Sequence, residues 1–190
     1  MKLVVAAFSA LFAAGAAHMA PTVFAQADKA SATLPAEVRE VLPEARLAGR
    51  ARLSVWGFQI YDATLWVAPG FKADTFQDHD FALDLAYLRS FSRDDIAKSS
   101  LGEMGRQRQI PTDKAAAWER QLRDAIPDVK PGDRITGVHR PGQGASFLVN
   151  GKPYKAIRDA EFARLFFGIW LADATSEPAM RRELLSLVKP

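Results

Sequence analysis

Apolar positions recur along this chain at two different periods. From Asp159 to Leu171, Phe162, Leu165, Phe166, Ile169 and Trp170 follow the three- and four-residue spacing of one helical face. Asp159 stands where a carboxylate accepts the free N–H groups of a first helical turn, and Glu161 suits the positive end of the helix dipole. A shorter helix is predicted from Pro178 to about Leu187, capped by Ser176, with Met180, Leu184 and Leu187 inward and Arg181, Arg182 and Glu183 outward. Upstream, Ser92 opens a helix with Asp95 three residues on, a short-acid form of the capping box. Ile96, Ala97, Ser100, Leu101 and Met104 share its inner face. Pro111-Thr112 starts another helix, lined by Trp118, Leu122, Ala125 and Ile126 and stopped by Pro127.

Between these stretches the period changes to two. Leu47 to Val67 reads as two strands joined by a tight turn near Trp56-Gly57, and Phe81 to Leu88 as a half-buried strand. Three more strands follow. Arg134–Arg140 leads through Pro141-Gly142-Gln143-Gly144 into Ala145–Val149. Asn150-Gly151 then turns the chain into Lys152–Ile157, because both residues tolerate the positive φ of a type I′ turn. Pro153 cannot donate to a ladder, which suits an edge strand or a strand start. The order of elements predicts an α+β domain, an antiparallel sheet with helices packed on one face. No internal repeat or low-complexity linker interrupts it.

The N-terminus is of another kind. Lys2 precedes a continuous apolar run, Leu3 to Ala17, shorter than the ~20 residues of a membrane span. Val23-Phe24-Ala25 and Ala25-Gln26-Ala27 both fit the small-residue rule of signal-peptidase cleavage. Residues 1–27 therefore read as a signal peptide, cleaved near Ala25 or Ala27, with an uncleaved anchor as the alternative. The expected location is the periplasm, with no integral membrane segment after signal removal. Residues 28–44 read as a polar leader with a short helix at Pro35–Val41, and residues 45–190 as the domain. With no cysteine, thiol chemistry and cysteine metal sites are excluded. The formal charge is +3, with no basic run carrying interleaved aromatics, so nucleic-acid binding has no support.

Five stretches carry a resemblance, in order along nearly the whole mature chain. They are Gly49–Leu53, Tyr61–Pro69, Ile96–Ser100, Pro127–Asp133 and the Phe162–Leu171 helix. Together they resemble the bacterial chalcone isomerase-like family. The resemblance implies an open-faced β-sandwich, a curved antiparallel sheet with helices over its concave side and a ligand cleft between. In plant relatives that cleft holds a chalcone, cyclised to a flavanone, or a fatty acid.

The first hairpin supplies the candidate site. A two-residue turn at Trp56-Gly57 pairs Val55 with Phe58, Ser54 with Gln59, Leu53 with Ile60 and Arg52 with Tyr61. Opposed residues have Cβ atoms about 5 Å apart, so a guanidinium and a phenol project together. An Arg fork binds a carboxylate or enolate oxygen and the phenol adds a donor. The pair resembles the arginine and tyrosine that anchor the carboxylate in fatty-acid-binding relatives. Its spacing is shorter than in the plant proteins, which leaves Arg50 as the alternative equivalent. An exposed Arg beside a half-buried Tyr on an ordinary sheet is the plainer reading.

Other chemistry is thin. The isomerases resembled carry a catalytic tyrosine and an asparagine seven residues apart, and Pro111 to Gln121 contains neither; Lys114 and Gln121 lie nearest. Their threonine falls near Leu165, on the apolar stripe. Asp78-His79-Asp80 reads as a solvated turn, and His139 as a structural residue beside a Pro-Gly turn. Asp84, Arg89, Arg93, Asp94 and Asp95 are expected to form a salt-bridge network at a strand-to-helix corner. No metal, cofactor or catalytic residue is expected. Three functions follow: a noncatalytic binding or carrier module for a small amphipathic carboxylate, an isomerase or lyase acting on a phenolic or enone substrate, and a structural protein with an unknown protein partner.

Overall fold

The computed structural model describes residues 33–189. The readings of residues 1–27 as a signal peptide and of the first part of the leader lie outside them. Six strands form one sheet in the order of the sequence, every neighbouring pair antiparallel. They are β1 (Arg46–Val55), β2 (Phe58–Val67), β3 (Phe81–Tyr87), β4 (Arg134–Arg140), β5 (Gly144–Val149) and β6 (Lys152–Ile157). Five helices accompany them: α1 (Ala36–Val41), α2 (Arg93–Gln107), α3 (Thr112–Ala125), α4 (Ala160–Leu171) and α5 (Pro178–Leu184). A 3-10 segment over Ala73–Asp78, absent from the sequence reading, buries Phe76 beside Phe81.

The alternation of each strand sorts its side chains by face. Ala63, Leu65 and Val67 of β2, Leu83 and Leu85 of β3, Ile135 of β4 and Phe147 of β5 join one core with α2 to α5. We call this the inner face. Trp66, Ala82, Val138 and Leu148 lie on the outer face, where Val38 and Leu42 from the α1 segment cover them. The leader therefore contributes a packed element. It also explains why β3 is buried on both sides rather than half-buried. Under α1, Asp84 accepts from Nε and Nη2 of Arg134 (3.1 and 3.0 Å) and from the Thr136 hydroxyl (2.6 Å). Asp84 thus belongs to the outer face and not to the corner network expected of it. At that corner Arg93 meets Asp128 and Arg123 meets Asp94.

Helix α4 is the centre of the core. Asp159 accepts from Phe162 N at 3.0 Å and from the Trp118 indole at 3.0 Å, joining the cap to α3. Its buried set is wider than one stripe and includes Ala163, Phe167, Gly168 and Leu171. Phe162, Phe166 and Phe167 fill the space over Phe147 and Gly137. A Cβ on Gly137 would sit 2.9 Å from the Phe167 ring, so the missing side chain is what admits it. Ser92 caps α2 as predicted, accepting from Asp95 N at 3.1 Å. Ser176 does not cap α5; the Thr175 hydroxyl accepts from Glu177 N instead. Because α5 ends at Leu184, Leu187 is exposed and not inward, and its N–H bonds to Ala48 O on β1.

Candidate functional site

The β1–β2 hairpin decides where the candidate residues point. Its turn has φ of 50° at Trp56 and 80° at Gly57, and Val55–Phe58 and Ser54–Gln59 pair as predicted. Beyond them the register shifts. Ile60 is the extra residue of a β-bulge, and Leu53 then pairs with Tyr61 and Arg52 with Asp62. With a side-chain period of two, this one-residue slip sends Arg52 and Tyr61 to opposite faces. The predicted Arg52–Tyr61 pair is corrected accordingly. On the outer side Arg52 forms a bidentate pair with Asp62, at 2.5 and 2.8 Å, and Arg50 stands across from Thr64. Both arginines are exposed. Asp62 holds Arg52 firmly protonated, by hydrogen bonding first and by charge second.

Tyr61 lies on the inner face. Its hydroxyl accepts from the Trp170 indole N–H of α4 at 2.9 Å, and its ring meets Tyr87 edge-on at 5.8 Å. Tyr87 in turn contacts Phe91, at 6.1 Å. Leu53, Tyr61, Phe91 and Ile169 are partly buried against the core, whereas Phe81 and Phe167 are fully buried. Because the Tyr61 oxygen accepts the indole hydrogen bond, its own O–H remains to be donated. Burial pushes the Tyr61 hydroxyl far above its ordinary range, and the nearby charges of Glu177 and Glu103 add to that. Tyr61 is thus a neutral donor, never a phenolate at physiological pH. Burial does the same to Tyr87.

The family model described as chalcone isomerase-like matches residues 7–186. The chain belongs to the chalcone isomerase-like family. A Haemophilus influenzae protein described as uncharacterized is 26% identical over 137 residues, covering 70% of this chain and 65% of that one. The chain thus spans less than two thirds of that relative's length. Among solved structures, a fatty-acid binding protein of Arabidopsis thaliana superposes with a TM-score of 0.57 at 12% identity, over 75% of this chain and 87% of that one. Its likeness supports the fold: an open antiparallel sheet with helices, as expected for a chalcone isomerase-like domain.

At the positions nearest the isomerase pair, Lys114 binds Glu161 and lies over the Trp118 ring at 4.9 Å, and Gln121 is exposed. Leu165 is fully buried, and its carbonyl accepts from Gln107 at 2.7 Å. None of these joins Tyr61. His139 is buried, stacks on Phe81 at 4.7 Å and holds the His79 carbonyl through Nδ1 at 2.8 Å. Burial lowers its pKa. It borders a cleft of about 330 Å³ with Asp78, Glu161 and Arg164. Another cleft, of about 340 Å³, opens on the outer face between Val41, Leu148 and Tyr154. Neither reaches Tyr61. Among the described residues no cluster of three or more potential metal ligands occurs, and no helix is long and apolar enough to cross a membrane.

The sequence reading missed Trp170 as a polar partner, since it sat on an apolar stripe. It also missed Asp62, whose adjacency to Arg52 depends on the bulge.

Proposed function

We propose that this chain is an exported, noncatalytic binding module for a small amphipathic ligand with a fatty acid-like body. The observation that carries the reading is the Tyr61–Trp170 pair: a phenol held by an indole, with its own proton unspent, among the partly buried residues at the β1–β2 edge of an apolar inner face. A ligand oxygen that accepts this proton docks there, and the acyl or aryl body replaces the half-buried side chains of Leu53, Phe91 and Ile169. Family membership and the fatty-acid binding structural neighbour support a binding module. The carboxylate expected from the sequence depended on Arg52, which now lies on the other face. The groups that Tyr61 meets, the Trp170 indole and the Tyr87 ring, are uncharged. The head group that fits is therefore an uncharged acceptor, such as an ester, a carbonyl or a protonated acid.

The isomerase reading asks for a polar group that stabilises an enolate oxygen, worth about 10²–10³ in rate for a single donor. Tyr61 is one such donor, and neither Arg52 nor Lys114 joins it to orient a substrate. Native mass spectrometry of the protein purified from its own cells tests the proposal: a copurifying neutral lipid or aryl ester is expected. Adduct-free protein that turns over chalcones above background would replace it with the enzyme.

A further inference from the structure

The β1–β2 turn breaks the rule that its sister turn obeys. Both have positive φ at both central residues, 49° and 79° at Asn150-Gly151 and 50° and 80° at Trp56-Gly57. Asparagine suits that first position; a bulky aromatic there is strained. The indole so placed is mostly exposed: Trp56 is 68% exposed and Phe58, two residues on, is 49% exposed. The Arg89 guanidinium lies over the Phe58 ring at 4.5 Å. Over residues 46–67 the hairpin carries Arg46, Arg50 and Arg52 against Asp62 as its single acid. Trp56 and Phe58 do not belong to either core cluster.

We propose that this hairpin tip docks the protein on an anionic lipid bilayer. A convex tip of two aromatic side chains is far smaller than the ~800 Å² per partner of a stable protein interface. It needs no shape-matched groove when it enters the interfacial zone of a membrane, where tryptophan is favoured. Arg89, which has no salt-bridge partner among the described residues and lies over the Phe58 ring, meets anionic head groups while the rings sit deeper, and Arg50, further along β1, adds to the attraction at longer range. The inference stands on the tip alone and does not depend on the ligand proposed above.

The chain carries its own probe. It has four tryptophans, and Trp66, Trp118 and Trp170 are buried, so Trp56 is the one solvent-accessible indole. The experiment titrates residues 28–190 with phosphatidylcholine vesicles, with and without phosphatidylglycerol, following binding by vesicle cosedimentation and, in the wild type, Trp56 emission and its quenching by brominated lipid. Anionic vesicles should shift the emission to the blue, brominated lipid should quench it, and high salt should weaken binding. A W56N/F58T variant keeps a turn-compatible residue and should bind roughly tenfold or more weakly for each aromatic lost. Circular dichroism confirms that it folds, and W56N alone serves if it does not. Equal vesicle binding by wild type and variant would place the contact elsewhere and overturn the proposal. So would absence of wild-type binding, or binding indifferent to phosphatidylglycerol.

Discussion

His139 shows how one buried side chain sets a measurable property. Its ring stacks on Phe81 and meets Phe167 edge-on, with Asp78, Asp80 and His79 nearby and Glu161 and Arg164 across the cleft. Desolvation depresses its pKa below the ordinary 6.5, although the His79 carbonyl and the two aspartates oppose that. The folded state therefore binds the proton less readily than the unfolded chain. Stability should be full above about pH 6.5, fall as the pH drops below it, and level off below the depressed folded value. Denaturant midpoints at mildly acidic and neutral pH should differ more for wild type than for His139→Gln. A flat wild-type profile would mean that the imidazole is hydrated. The exposed Arg52–Asp62 pair, by contrast, contributes at most about 1 kcal/mol, so Arg52→Ala should leave thermal stability nearly unchanged.

At the scale of elements, α4 and the close approaches around it dominate. Phe166 is buried against Phe147, Phe162, Phe167 and Trp170. Phe166→Ala should cost about 3–5 kcal/mol, since a cavity adds to the lost transfer energy; chemical denaturation checks it, and a loss below about 1 kcal/mol would mean a mobile lid. Gly49 tests the other side of the sheet core. A Cβ there would lie 2.2 Å from Glu183 O in the last turn of α5. Gly49→Ala should displace that helix and cost about 1–3 kcal/mol, visible as lost protection of the Leu187–Ala48 bond in hydrogen exchange. Much of this layer was legible: strand and helix positions follow from period, and the Ser92 and Asp159 caps from residue type and position. The bulge at Ile60 was not, because Tyr-Asp-Ala-Thr-Leu alternates equally well in either register and nothing local marks the extra residue. The packing of α1 was also hidden, since Val38 and Leu42 gain meaning only once Trp66 and Val138 share the outer face.

Across the described residues, a sheet meander with α1 on one side and four helices on the other packs the inner face with aromatics, and near the β1–β2 hairpin these include the partly buried Tyr61 and Phe91. A single-residue slip in that hairpin separates the charge that was expected to bind a ligand from the phenol that remains in position to do so. The central claim is that Tyr61, and not Arg52, holds the head group of a neutral amphipathic ligand. Isothermal titration with decanoic acid and its methyl ester, on wild type, Tyr61→Phe and Arg52→Ala, tests this most directly. The ester should bind at least as tightly as the ionised acid. Tyr61→Phe should weaken the ester by the ~0.5–1.5 kcal/mol of a neutral hydrogen bond, roughly twofold to tenfold, and Arg52→Ala should leave it unchanged. Preference for the ionised acid, lost in Arg52→Ala and untouched in Tyr61→Phe, would contradict the account.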